Sequence, residues 1–153
     1  MPRSAAIWYR ARVNNSEHPT RDPDLGGVKV LLVDDDADGR EMVHRILRGG
    51  GADVVACASA AEALESFETR IPTVIVCDLV MPEIDGLAFL AQVRAREERR
   101  GIRCIPALAL TGLDPSATLK DAARAGFQVY LQKPIEPQAF LRSVAKLASE
   151  NAI

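Results

Sequence analysis

The sequence predicts an α/β protein built on a doubly wound parallel sheet of five strands. Three observations carry that expectation. From Lys29 onward, short apolar runs at 28–33, 53–58, 73–77, 104–110 and 129–131 alternate with amphipathic stretches. Most of the runs are continuous rather than alternating and rich in Val, Ile and Leu, the pattern of strands buried on both faces. The resulting βαβαβαβαβα order implies right-handed crossovers with helices on both sides of the sheet. The 153 residues suffice for one open sheet, whereas a closed barrel of alternating strands and helices needs about 250.

Each element has a local justification. Residues 1–27 mix Arg, Asn, Pro, Asp and Ser, end in Gly26-Gly27 and show neither a helical nor a strand period. They read as a tail or interdomain linker ahead of a compact domain at 28–153, with an aromatic pair, Trp8-Tyr9, suited to docking on a surface. Met42, Val43, Ile46 and Leu47 share one face of the first helix, which Gly49-Gly50-Gly51 stops. Ala60, Ala63, Leu64 and Phe67 face inward from the second, behind a capping box made by Ser59 and Glu62. Phe89, Leu90 and Val93 form the third, which starts after Asp85-Gly86 and runs out through a charged stretch, 94–100, that reads as a solvated end. Asp114-Pro115 caps and opens the fourth helix, Leu119, Ala122 and Ala123 fill it, and Gly126 ends it. Pro137 opens the last, with Phe140, Leu141, Val144, Leu147 and Ala148 on one face.

Composition excludes several functions. Nineteen Lys+Arg against 21 Asp+Glu leave a formal charge of −2, without the basic stripe of a dedicated nucleic-acid binder. A hydrophobic fraction of 48% is too high for global disorder. No run approaches the roughly 18 apolar residues of a membrane span. The first residues also lack the apolar core of a secretion signal. Both absences predict a cytoplasmic protein. The cysteines, Cys57, Cys77 and Cys104, are odd in number and form no C-x-x-C pair, so they read as reduced thiols acting as small hydrophobes. His18 and His44 lie far apart with no Cys at ligand spacing, which argues against zinc.

Chemistry concentrates where the strands end. Open parallel sheets bind ligands beyond the carboxyl ends of their strands, at a topological switch point. The first strand ends in Asp34-Asp35-Asp36, the third in Asp78, the fourth in Thr111-Gly112 and the fifth in Lys133-Pro134. Only the second, ending near Cys57-Ala58-Ser59, offers little. Crowded carboxylates repel, and a hard cation held by oxygen is the natural remedy; few protein ligands with retained waters suit Mg²⁺ better than Ca²⁺. With a lysine and a hydroxyl beside them, such carboxylates are equipped for phosphoryl transfer. One attacks phosphorus while cation and ammonium neutralise the phosphoryl oxygens, and Gly112 leaves room for a donor. Taken singly, each residue has a plain structural reading: a turn and helix cap for 34–36, a turn for Asp78, a helix-entry hydroxyl for Thr111 and a surface lysine for Lys133. Their joint appearance at four strand ends argues for a site.

Four motifs, VLLVDDD at 30–36, VIVCDLVMPEIDG at 74–86, ALALTG at 107–112 and YLQKP at 130–134, resemble the receiver domain of two-component response regulators. The resemblance runs from Lys29 to about Ala148. It implies a flavodoxin-like (βα)5 fold with strand order 2-1-3-4-5. By the same resemblance, Asp78 is the phosphoacceptor, loaded by a histidine kinase or histidine phosphotransfer protein. Asp34 and Asp35 hold Mg²⁺ together with Asp78 and the backbone carbonyl of Val80, Asp35 ranking ahead of Asp34 as the direct ligand of the acidic pair. Thr111 is the switch hydroxyl, beside Gly112; Lys133 binds phosphate ahead of a cis Lys133-Pro134 bond; and Tyr130 is the switch aromatic, turning inward on phosphorylation. This describes a signalling domain that phosphorylates itself rather than an enzyme with turnover. The face of the fourth helix, fifth strand and fifth helix is the output face and a candidate homodimer surface.

The stretch GFQVYLQKPIEP and the Gly-Gly before Lys29 resemble receivers of hybrid histidine kinases, and a single-domain regulator stays open. No DNA-binding domain follows Ile153 in this chain, so output is expected as a phosphorelay step or a protein contact. Val80 and Leu113, two places beyond Asp78 and Thr111, are apolar and cannot orient a water on phosphorus, so slow loss of the phosphoryl group is expected. Two rival readings remain. A haloacid-dehalogenase-type phosphotransferase or phosphatase also uses Asp, Mg²⁺, Thr and Lys, and Asp34-x-Asp36 mimics its opening pair, but only Glu136 and Glu150 follow Lys133 as acids. The other is a receiver-like scaffold that is never phosphorylated.

Overall fold

The computed structural model describes residues 8–10 and 22–150. Its elements are β1 (Trp8–Arg10), β2 (Lys29–Val33), α1 (Ala37–Gly49), β3 (Asp53–Cys57), α2 (Ala60–Thr69), β4 (Val74–Cys77), α3 (Gly86–Arg100), β5 (Ala107–Thr111), α4 (Pro115–Ala125), β6 (Val129–Gln132) and α5 (Pro137–Glu150). All the strand pairs are parallel, and the sheet order is β1-β6-β5-β4-β2-β3. The five expected strands, β2 to β6, therefore stand in the order 2-1-3-4-5 counted among themselves. The sixth is an addition. Trp8–Arg10 pair in parallel with Val129–Leu131 on the outer edge of β6, within a stretch that shows no strand period. Three residues are too few to display one. Most of the expected tail, and the side chains of its aromatic pair, lie outside the described residues.

Alternation along the strands explains the two-sided core. Leu31, Val33, Ile75, Cys77, Ala107, Ala109 and Tyr130 point to one face, where Phe67 of α2, Phe89, Leu90 and Val93 of α3 and Ala122 of α4 cover them. Val30, Leu32, Val74, Val76, Leu108, Leu110, Val129 and Leu131 point to the other, under Val43 and Leu47 of α1 and Phe140, Val144 and Leu147 of α5. Every residue of β4 and β5 is buried, which is why their sequences are continuous apolar runs.

The helix ends follow the sequence signals. Glu62 N–H donates to Ser59 Oγ at 3.2 Å, and the Glu62 carboxylate reaches back to the Ala58 amide at 2.8 Å, one residue beyond the usual capping box. Asp114 caps α4 by accepting from Ser116 N–H at 2.8 Å. Gly126 closes it in the left-handed region at φ 108°, a conformation that costs glycine little.

Two expectations are corrected. The charged end of α3 is not simply solvated. Glu97 is only 3% exposed, and its carboxylate takes the Arg94 guanidinium at 2.9 Å and the Ile105 amide at 2.5 Å. Arg94 also donates to the carbonyls of Ile105 (2.7 Å) and Gly126 (3.0 Å), tying α3 to the starts of β5 and β6. A helical wheel cannot distinguish a solvated charge from one paired by loops that follow later in the chain. Among the cysteines, Cys57 and Cys77 are buried but Cys104 is exposed, in the loop before β5. Burial, with Glu62 nearby, pushes the Cys57 thiol up to about 11.

Candidate functional site

The carboxyl ends of β2, β4, β5 and β6 form the rim that bears the site. Parallel register sets Val33 beside Cys77 and Cys77 beside Ala109, so the residues that follow these strands emerge next to one another. Asp78 N–H donates to the Val33 carbonyl at 3.0 Å, and Asp34 N–H to the Cys57 carbonyl at 3.1 Å. The ladder thus extends one residue past the strands and fixes both aspartates.

Lys133 crosses this rim. Its Nζ donates to Asp34 Oδ2 at 3.0 Å and to Asp78 Oδ2 at 3.2 Å. Asp34 is 2% exposed, and Asp35, exposed, lies at its side. Asp34, Asp35 and Asp78 can each bring a carboxylate oxygen within 4.8 Å of the others. Partial burial depresses the Lys133 pKa, but the hydrogen bond to Asp34 and the charges of Asp78 and Asp34 outweigh it, and the net direction is upward. Lys133 is therefore a cation at neutral pH. Its own N–H donates to the Thr111 carbonyl at 2.8 Å, and the Lys133-Pro134 bond is cis.

Asp36 separates from the other two acids. Its carboxylate accepts from Gly39 N–H at 3.0 Å and caps α1, so the plain reading of the triplet is right for one member. That also removes Asp36 from the opening pair which a dehalogenase-type site would need.

The remaining candidates lie around the acids. Val80 is 55% exposed, and its N–H donates to Asp78 Oδ1 at 3.0 Å. Gly112 opens on free space, since a Cβ there would meet nothing within 4 Å. Thr111 is buried, with its Oγ1 accepting from Leu113 N–H at 3.3 Å. Tyr130 is fully buried; its hydroxyl donates to the Leu113 carbonyl at 2.8 Å and lies 2.6 Å from Thr118 Oγ1. In this structure Tyr130 thus already occupies an inward position.

Three contributors escaped the sequence reading. Arg40, on α1, donates to the Asp34 carbonyl at 2.9 Å. Thr118 meets Tyr130 from α4. Gly86 packs directly behind the site: an added Cβ would run into the Asp78 carbonyl oxygen and lie 2.8 Å from Leu79 Cα. Gly86 follows the cap Asp85, so its sequence signal is that of a helix start, and the close approach shows only in three dimensions.

The chain is similar in sequence and fold to known proteins. The chain is 38% identical over 120 residues to an uncharacterised 14.6 kDa protein of the sodA1 3' region of Leptolyngbya boryana, covering 78% of this chain and 89% of that one. It is 30% identical to the chemotaxis protein CheY of Listeria monocytogenes, covering 79% of this chain and 98% of the relative. It spans only 24% of the transcriptional regulatory protein ZraR of Escherichia coli, at 31% identity and 71% of this chain. Among solved structures, the Vibrio cholerae chemotaxis protein CheY4 superposes with a TM-score of 0.72 at 29% identity, covering 78% of this chain and 98% of that one. The Francisella response regulator 1452 receiver domain does so with a TM-score of 0.72 at 27% identity, covering 81% and 98%. Residues 30–145 match the family model of the response regulator receiver domain, and the chain belongs to that family of two-component signalling domains.

Proposed function

We propose that this receiver accepts a phosphoryl group on Asp78 from the phosphohistidine of a histidine kinase or histidine phosphotransfer protein, and that the loaded domain resets a protein-interaction face. The observation that carries the reading is the Lys133 ammonium, which reaches Asp34 at 3.0 Å and Asp78 at 3.2 Å. A carboxylate nucleophile, a second carboxylate and a fixed cation are then in one place. In the transfer, an Asp78 oxygen bonds to phosphorus as the phosphorus–nitrogen bond breaks, and that electron pair returns to the imidazole. Lys133 neutralises charge on the phosphoryl oxygens, and Thr111 is the hydroxyl available to bond one of them.

The acid cluster fits a hard divalent cation: three aspartate side chains converge, all donors are oxygen, and Asp36 is engaged elsewhere. Asp34, Asp35 and Asp78, with the Val80 backbone carbonyl, would hold Mg²⁺, which supplies further neutralisation of phosphoryl charge. The switch reading rests on Leu113, whose backbone touches both Thr111 and Tyr130. A pull on Thr111 therefore reaches β6 and α4, and the face of α4, β6 and α5 is the output surface. Among the described residues no helix is long and apolar enough to cross a membrane. The reading puts the chain in the cytoplasm with its donor, as a single-domain regulator or as the receiver of a hybrid histidine kinase.

The test is incubation with acetyl phosphate and Mg²⁺, followed by intact-mass measurement and peptide mapping. One phosphoryl group on Asp78, lost in Asp78→Asn and in chelator, is the expected result. Labelling of Asp34 with continuous phosphate release would support a hydrolase instead. No label, together with no Mg²⁺-dependent binding of beryllofluoride, would support a scaffold.

A further inference from the structure

The added strand is not explained by the phosphoryl chemistry. β6 would otherwise be the outer strand of the sheet, with one row of backbone amides and carbonyls unpaired. Such an edge is a template for any extended segment. Here Trp8, Tyr9 and Arg10 align in parallel with Val129, Tyr130 and Leu131. Tyr9 therefore stands in register with Tyr130, the residue whose hydroxyl meets Leu113 and Thr118.

We propose that the outer edge of β6 is a strand-docking site and that its occupant is this chain's own Trp8–Arg10 segment, bound in cis. The docked strand closes the sheet edge beside Tyr130, between α4 and α5, and a partner that pairs with this edge must displace it. Chain length permits the connection. β1 lies four strands from β2, roughly 19 Å at about 4.8 Å per strand. The 18 residues between Arg10 and Lys29 reach about 60 Å when extended, so cis pairing needs no strained link. Brevity makes the strand displaceable, because three residues form only a few ladder bonds and, among the described residues, have no second strand on their outer side. A short occupant suits an edge that is covered at rest and opened by competition. The proposal does not depend on Asp78 accepting phosphate.

The test uses the full chain carrying Tyr9→Pro with Arg10→Pro. Successive residues of a strand point their amides to opposite sides, so one of the two prolines removes a donor facing β6 whichever way the segment is turned. Amide hydrogen exchange is read by segment. Exchange across residues 129–132 is expected to quicken by about tenfold, with β4 at 74–77 unchanged as the control for an intact core. A synthetic peptide of residues 1–21, added to the variant, is expected to restore protection. Exchange at 129–132 equal to that of the unaltered chain would overturn the proposal. Protection in the unaltered chain that falls on dilution would assign the strand to a second copy and overturn cis docking.

Discussion

Thr111 and Tyr130 hold opposite ends of one residue. Leu113 donates its N–H to Thr111 Oγ1 at 3.3 Å, and its carbonyl accepts the Tyr130 hydroxyl at 2.8 Å. Tyrosine has a single hydroxyl proton, which this second bond uses. The 2.6 Å contact with Thr118 Oγ1 competes with the 3.3 Å bond from that hydroxyl to the Asp114 carbonyl for the single Thr118 proton. A chain of hydrogen bonds thus runs from β5 through the β5–α4 loop to β6 and back to α4.

Thr118→Val removes this hydroxyl while keeping the side chain's branching. The variant is expected to lose about 1 kcal/mol of stability in urea denaturation, the net contribution of one hydrogen bond at a half-buried site. An unchanged midpoint would show that the contact contributes nothing.

Gly86→Ala tests the close packing behind the site. Its Cβ meets the Asp78 carbonyl and Leu79 Cα, both backbone atoms that cannot turn aside. A loss of roughly 1–3 kcal/mol is expected from overpacking, and Asp78 labelling by acetyl phosphate should fall with it. Wild-type thermal stability would contradict the geometry.

Glu97→Ala leaves the Arg94 guanidinium without its carboxylate and the Ile105 amide without its acceptor. Breaking one side of a buried ion pair costs about 3 kcal/mol or more, and chemical denaturation would read it directly. A cost within the range of ordinary surface substitutions would mean that water replaces Glu97 at little expense.

Lys133 gives a pH dependence of known sign. Its folded-state pKa is raised above the ordinary 10.5. The stability that it contributes is fully present below 10.5 and is lost as pH climbs through the higher folded-state value. The stability gap between the unaltered chain and Lys133→Gln should therefore be flat from neutral pH to about pH 10 and shrink above it. A gap that widens at high pH would reverse the assignment.

Val80 and Leu113 bear on phosphoryl lifetime. Both are apolar and reach solvent, with exposures of 55% and 36%, and neither can align a water. Val80→Asn with Leu113→Glu is expected to shorten the life of the aspartyl phosphate by roughly tenfold, by supplying polar groups that can orient the attacking water. Equal decay rates in the two proteins would remove orientation of that water as the controlling factor.

Features that depend on neighbours along the chain are legible in the amino-acid order alone. Ser59 and Asp114 cap helices where their local patterns say they should, because capping spans only three or four residues. The continuous runs at 74–77 and 107–111 state that both faces of those strands are covered. Strand-end carboxylates, hydroxyl and lysine were legible for the same reason: each sits within two residues of the end of its run. Features that depend on register between distant segments appear only in three dimensions. Lys133 meets Asp34 across 99 residues and Asp78 across 55. Asp36, identical in type to its neighbours, turns away to cap α1. Glu97 passes from an apparent solvated run to a buried carboxylate paired with the half-buried Arg94, because the partners that enclose them lie in later loops. Trp8–Arg10 become a strand only because β6 offers an edge, and three residues hold no periodicity of their own. Local order is written in adjacent residues, whereas these contacts exist only once parallel strands have aligned.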